Sequence, residues 1–154
     1  MKPQDTNNRQ KNIKEKMRNF NYPVLVELED DAKVLSCRDI PQANAFTYDE
    51  SIQKTAQEML QIALSYYFKE KLYIPPASKA KKGEEIVVLP PSFVLKIILH
   101  NAMLENNIRN ADIAKALDVP QSEVARIVDY RRKTKIDTMA LAISAAGESL
   151  TLTY

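Results

Sequence analysis

The sequence predicts an α+β fold, a β-β-β-α-β unit followed by an all-α unit that ends in a short β-strand. Three observations predict it. Apolar and polar residues alternate from Tyr22 to Glu29, the two-residue period of a half-buried strand. Between Ile52 and Tyr67 the apolar residues switch to steps of three and four, which trace one stripe of a helix. Beyond Pro90-Pro91 the spacing stays helical as far as Gly147, and then Leu150, Leu152 and Tyr154 alternate with polar residues.

Residues 1–19 are polar, basic and rich in Asn, Gln and Lys; they bury too little apolar area to offset the entropy of ordering, and read as a flexible arm. The first domain spans 20–89. Its opening strand places Tyr22, Val24, Val26 and Leu28 on one face and Leu25, Glu27 and Glu29 on the other. Asp30-Asp31-Ala32 is a polar turn, Lys33 to Arg38 a second strand, and Asp39-Ile40-Pro41 its end, because proline cannot donate to a ladder. Asn44 to Phe46 is a short third strand. Thr47 and Glu50 have capping-box spacing, so a helix is expected from there to about Lys71, with Ile52, Ala56, Met59, Leu60, Ala63, Leu64 and Tyr67 inward. Ile74-Pro75-Pro76 stops it, and Glu85 to Leu89 is a further strand. The second domain spans 90–154. Ser92 is expected to cap its first helix, with Val94, Leu95, Ile98, Ala102 and Met103 inward. Two short helices and a fourth, from Asp137 to Gly147, precede the terminal strand Ser149–Tyr154.

Composition excludes much. In 154 residues, 45% apolar and 27% charged, no apolar run approaches the ~20 residues that span a bilayer, and no secretory signal is evident. The chain is therefore read as cytoplasmic, with no membrane partner. Cys37 and His100 are its one cysteine and one histidine, so a disulfide framework, a zinc site and a histidine triad are not expected. Two glycines, Gly83 and Gly147, leave no glycine-rich phosphate loop. No metal, no cofactor and no enzyme is expected. The rival is a two-metal nuclease built from Glu27, Asp39, Asp49 and Glu50, although nothing in their spacing gathers them. His100 reads as a helix-surface or partly buried residue, Cys37 as a small strand residue, and Tyr66, Tyr67 and Phe68 as core or partner contacts rather than RNA-stacking groups.

The informative motif is NADIAKALDVPQSEVARIV at 110–128. With Ala114 as the small residue where two helices cross, Ile113, Leu117, Val119, Val124 and Ile127 fill the apolar positions of a helix-turn-helix. Asp118 stands where the turn usually carries glycine, and Asp tolerates a left-handed backbone better than most residues. The second helix should start near Pro120 or Gln121. Gln121, Ser122, Ala125 and Arg126 are its exposed early side chains, which would face base edges in a major groove. Arg131, Arg132, Lys133 and Lys135 follow, suited to phosphate contacts. A plain helical bundle that binds only protein is the bland alternative, and the cationic run favours DNA. One such motif reads few base pairs, so a homodimer is expected.

Charge is divided along the chain, net +4 over residues 1–20, −4 over 21–74, and +1 over both 75–88 and 89–154. The order and spacing of these segments over residues 20–154 resemble the HicB antitoxin family of bacterial HicAB toxin–antitoxin pairs. The resemblance is carried by Tyr22-Pro23-Val24, Asp39-Ile40-Pro41, Tyr67-Phe68 and Ile74-Pro75, then by Val124 to Asp129 and Thr134 to Thr138. The family's usual hairpin glycine is absent, since Asp30-Asp31-Ala32-Lys33 stands there. The resemblance implies a partial ribonuclease-H-like first domain without a catalytic metal site, which occludes a small RNA-cleaving HicA-type toxin. It implies a second domain that binds operator DNA and represses its own operon, in a dimer or a dimer of dimers. An RNA-cleaving toxin must attract phosphate, so acidic Glu27, Glu29, Asp30, Asp31 and Asp39 are the candidate toxin contacts. The alternative is a stand-alone helix-turn-helix repressor with a small ligand- or partner-sensing first domain.

Overall fold

In the computed structural model, residues 18–152 are described. The expected arm falls almost entirely outside them, as do Thr153 and Tyr154. The alternating segment forms β1 (Tyr22–Glu29), which turns at Asp30-Asp31 into β2 (Ala32–Ser36). Both turn residues take positive φ, 47° and 67°, the geometry that lets a two-residue hairpin follow the twist of its strands. Asp accepts this conformation where most side chains would not, so the missing glycine leaves the hairpin intact. β3 (Asn44–Thr47) pairs with β2, and β4 (Glu84–Val87) pairs with the first half of β1. The sheet order is β3-β2-β1-β4, antiparallel throughout.

Helix α1 (Gln53–Lys69) lies on one face of this sheet, and the whole stripe read from its sequence is buried. Its Leu60 and Leu64 join Tyr22, Val24, Leu35 and Val87 in one core. Each fully buried aliphatic side chain there contributes about 2 kcal/mol relative to exposure. Two local expectations are corrected. Thr47 ends β3 and does not cap a helix; its Oγ accepts the Asp49 N–H at 3.1 Å, and α1 begins six residues later with Ile52 as its N-cap. Leu28 is 78% exposed, because β4 pairs only as far as Leu25 and the hairpin end projects beyond the four-stranded part.

Four helices follow, α2 (Pro91–Glu105), α3 (Asn110–Leu117), α4 (Gln121–Val128) and α5 (Ile136–Ala145). Pro90, not Ser92, is the N-cap of α2; its fixed φ suits a helix entrance. The expected single stripe on α2 is also too narrow. Phe93 and Ile97 enter the core beneath the sheet, whereas Leu95, Leu99 and Ala102 enter a second core with Ile113, Val124, Ile127, Met139, Ala142 and Ile143. A helix apolar on two sides is buried on two sides. The joint is reinforced by Asn101, 5% exposed, which accepts from the Ile74 N–H at 2.9 Å and donates to the Ile74 carbonyl at 2.8 Å. Phe68 stacks on Tyr130 with ring centroids 4.8 Å apart.

The terminal strand is corrected as well. Ser149–Leu152 carries no strand, since a strand needs a ladder and no partner strand among the described residues reaches it. No helix among the described residues is long and apolar enough to cross a membrane.

Candidate nucleic-acid and partner interfaces

The α3–α4 pair is built from its apolar residues. Ile113 and Ala114 on α3 meet Val124 and Ile127 on α4, all at most 7% exposed. Asp118 sits between the helices at φ 54°, ψ 51°, and its N–H is directed to the carbonyls of Ala114 and Lys115. Val119 closes the turn, donating to the Ala114 carbonyl at 3.0 Å. The left-handed position expected at Asp118 is thus occupied, and α4 starts at Gln121 behind Pro120. The buried positions leave Gln121, Ser122, Glu123, Ala125 and Arg126 exposed. Glu123 adds a carboxylate to this face.

Arg131, Arg132, Lys133 and Lys135 are all exposed just beyond α4. They are not four equal cations. Asp129 holds Arg131 in a two-point pair at 3.0 and 3.1 Å and lies 3.7 Å from Arg132. Hydrogen bonding from Arg131 keeps the Asp129 carboxyl below the usual carboxylate range. Lys133 and Lys135 have no carboxylate among the described residues within ion-pair distance.

Lys96 supports this region from below. It is 2% exposed, and its ammonium donates to the Arg126 carbonyl at 3.5 Å, to the Ile127 carbonyl, and to Thr134 Oγ at 2.7 Å. The last carbonyls of a helix lack intrahelical partners and carry its negative dipole end, so a cation suits them. Desolvation pushes Lys96 down to about 8, with Asp129 opposing. Sequence reasoning passed over Lys96. The available signal was one lysine inside the apolar run Val94–Leu99.

The acidic candidates divide. Glu27, Glu29, Asp30 and Asp31 are exposed together at the end of the β1–β2 hairpin, and no cation among the described residues lies within ion-pair distance of any of them. Asp39 stands apart. Its side chain is 9% exposed, accepts from the Ser78 N–H at 2.9 Å and from the Ser78 hydroxyl, and lies 3.9 Å from Arg38. Arg38 in turn forks onto Glu84, whose carboxyl it holds below the ordinary range. Asp39 therefore ties the 75–81 segment to the end of β2.

Glu27, Asp39, Asp49 and Glu50 are not assembled, and no group of three or more His, Cys, Asp and Glu among the described residues could hold a metal ion. Lys33 donates to the Asp49 and Glu50 carbonyls, a structural tie. Cys37 is 2% exposed and burial pushes its thiol up, the opposite of a reactive thiolate. His100 donates Nε2–H to the Leu72 carbonyl at 2.6 Å and packs on Phe68. Tyr67 and Phe68 belong to the sheet core, while Tyr66 stays 48% exposed. Phe46 and Tyr48, exposed at 64% and 71%, were missed as candidate contacts; two aromatics two residues apart, one in β3 and one just past its end, were the signal.

Comparison with known proteins gives the class as an antitoxin of a bacterial toxin–antitoxin system. Residues 21–98 match the family model described as "HicB_like antitoxin of bacterial toxin-antitoxin system". Antitoxin HicB 2 of Photorhabdus laumondii subsp. laumondii is 36% identical over 137 residues, covering 88% of this chain and 96% of the relative. Antitoxin HicB of Escherichia coli K12 is 30% identical over 135 residues, covering 85% and 96%. Antitoxin HicB of Pseudomonas fluorescens is 29% identical over 136 residues, covering 86% and 92%. The chain belongs to the family of HicB-like antitoxins.

Proposed function

We propose that the chain neutralises a small, basic, RNA-cleaving toxin of the HicA type through its sheet unit, and represses its own operon by binding operator DNA through α3 and α4. The observation that carries the first half is the hairpin end, where Glu27, Glu29, Asp30 and Asp31 present four exposed carboxylates without a cation beside them among the described residues. Like charges gathered this way repel one another, and a basic partner relieves that repulsion. A surface that holds RNA phosphates is basic for its own reasons, so covering it with carboxylates blocks substrate without altering the toxin's chemistry. Asp39 is engaged within the chain and is set aside as a contact.

For the DNA half, the helix, left-handed turn and helix of 110–128 support a helix-turn-helix reading with α4 as the recognition helix. Gln121, Ser122, Ala125 and Arg126 are the base-facing side chains in this reading. Lys133 and Lys135 are its strongest phosphate contacts, and Arg131 and Arg132 must exchange Asp129 for phosphate. The partial ribonuclease-H-like description of the sheet unit is proposed on the strand order β3-β2-β1-β4 with its helix between β3 and β4. A dimer is proposed because palindromic operators present two half-sites.

The test uses the purified chain, the protein encoded by the adjacent gene, which this reading expects to be small and basic, and a duplex carrying the promoter upstream of the pair. The neighbour alone should cleave messenger RNA, and a molar equivalent of this chain should stop it. The chain should also shift the promoter fragment. Full cleavage by the saturated complex would refute occlusion, and no retardation of the promoter at low salt would refute the operator reading.

A further inference from the structure

The sheet has two faces and α1 covers one. On the other, strand register sets Glu27 opposite Val34 and Val34 opposite Phe46, a row across β1, β2 and β3. Part of this face is already occupied. Pro23 is buried near the end where Arg38, Glu84 and the Lys79 carbonyl hold the 79–84 segment together. The part nearer the hairpin turn is open. There Phe46 and Tyr48 remain 64% and 71% exposed, with ring centroids 6.0 Å apart at 81°. Val34, Ala32 and Asn44 floor a shallow groove beside them, and Glu29 and Asp30 form its lip.

Two exposed aromatics in edge-to-face contact on the open face leave contiguous apolar area in water, and covering it is favourable. β3 is also one of the sheet's two edge strands, with β4 the other, and its outer N–H and C=O groups have no ladder partner among the described residues. Such edges are covered or used. An apolar centre with an acidic lip fits a partner that offers an apolar patch framed by Lys or Arg.

We propose that this open β2–β3 face, with Phe46 and Tyr48 at its centre and Glu29 and Asp30 at its lip, is the seat of the basic toxin. The inference rests on the toxin-binding reading above and goes past it, because it assigns the dominant contact to two aromatic side chains rather than to the carboxylates. The carboxylates steer and set the salt dependence; the aromatics hold. The exposed side of α1, with Ile62 and Tyr66, is left out of the seat.

Binding of the neighbouring basic protein is measured by titration calorimetry for three double variants and the unaltered chain. Phe46→Ala with Tyr48→Ala should weaken binding by about 30-fold or more, the loss typical of a removed aromatic anchor. Glu29→Gln with Asp30→Asn, which removes both charges and keeps a residue that tolerates the positive φ of the turn, should weaken it too, most of all at low salt, and keeps the test decisive should the aromatic variant misfold. Ile62→Ala with Tyr66→Ala should change it by less than about threefold. Unaltered affinity in the aromatic variant, or a larger loss in the α1 variant, would overturn the assignment. So would a peptide of residues 1–17 that binds the unaltered chain but not the aromatic variant, since the face would then belong to the chain's own arm. If the unaltered chain does not bind the neighbour at all, the toxin-binding reading itself falls.

Discussion

Replacing Lys96 by Met separates two effects that oppose each other at neutral pH. Lys96→Met keeps the length of the buried stem but removes the donor to Ile127, Arg126 and Thr134. A buried acceptor left without its partner costs about 1–3 kcal/mol. The Arg126 carbonyl retains the Asp129 N–H at 3.3 Å, so the main loss is at Ile127. Against this, Met removes an ammonium that burial disfavours. The group falls from its ordinary 10.5 to about 8, and at 1.36 kcal/mol per unit the charged form is penalised by at most about 3 kcal/mol at pH 7. The two effects nearly cancel there, and the variant should unfold within about 1 kcal/mol of the unaltered chain.

The cancellation must fail at higher pH, with a definite sign. Between about 8 and 10.5 the unfolded lysine binds a proton that the folded one has released, so folding of the unaltered chain gains stability as pH rises through that window. Lys96→Met has nothing to titrate there. Urea midpoints of both proteins at pH 7, 8, 9 and 10 should diverge in favour of the unaltered chain, by up to about 2 kcal/mol at pH 10. A gap independent of pH, or one that moves against lysine, would refute the account of Lys96 as a desolvated cation under α4.

His100 is the chain's one histidine, and burial lowers its pKa while the Leu72 carbonyl partly restores it; its single Hε1 resonance should titrate below 6.5, and its contribution to stability, complete above 6.5, should be lost as pH falls through the folded value. A midpoint above 6.5 would contradict its place between Phe68 and Leu72. Arg126→Ala should reduce discrimination between operator and random duplex by about 1–3 kcal/mol, whereas Lys133→Ala should weaken both alike and lower the salt slope by about one, as retardation assays across a salt series would show. Arg132→Ala should act like Lys133→Ala but less strongly, because Asp129 already competes for its guanidinium. Deleting 149–154 should weaken self-association, since Leu152 lies 73% exposed on a segment that finds no ladder within the described residues; unchanged mass by light scattering would rule that out.

What the sequence made legible, and what it hid, follows one physical rule. Periodicity reports burial on one side. It found the α1 stripe residue by residue, and it placed Ala114, Ile113, Val124 and Ile127 together because each faces a single core. The left-handed turn at Asp118 was legible because few residue types tolerate it. α2 was misread because it is buried on two sides, so its apolar residues form no single stripe. The partners of Lys96 and Asn101 were not legible, since they lie on other segments, although a lysine inside the run Val94–Leu99 marked the place. Asp39 looked like a surface carboxylate because Ser78 is 39 residues away. Leu28 looked inward because alternation cannot say where a sheet runs out.

The double seating of α2 has a consequence for how two binding events in one chain can communicate. Ile97 lies in the core under the sheet and Leu99 in the core under α4, two positions apart on one rigid helix. The same helix carries Lys96 to the end of α4 and Asn101 to the backbone of Ile74. Close-packed cores do not absorb sub-ångström shifts independently, so a displacement of α2 against the sheet is a displacement against the α4 terminus. Coupling of this kind is reciprocal. If the chain binds both ligands as proposed, whatever factor toxin occupancy applies to operator affinity, operator occupancy must apply to toxin affinity. Ile97→Val trims one methylene from the sheet-side contact alone, at a cost of about 0.5–1.5 kcal/mol in stability. If α2 is the coupling element, that trim changes the coupling factor, which is the ratio of either ligand's affinity with and without the other bound, while leaving every proposed contact residue in place; an unchanged factor would refute the role given to α2.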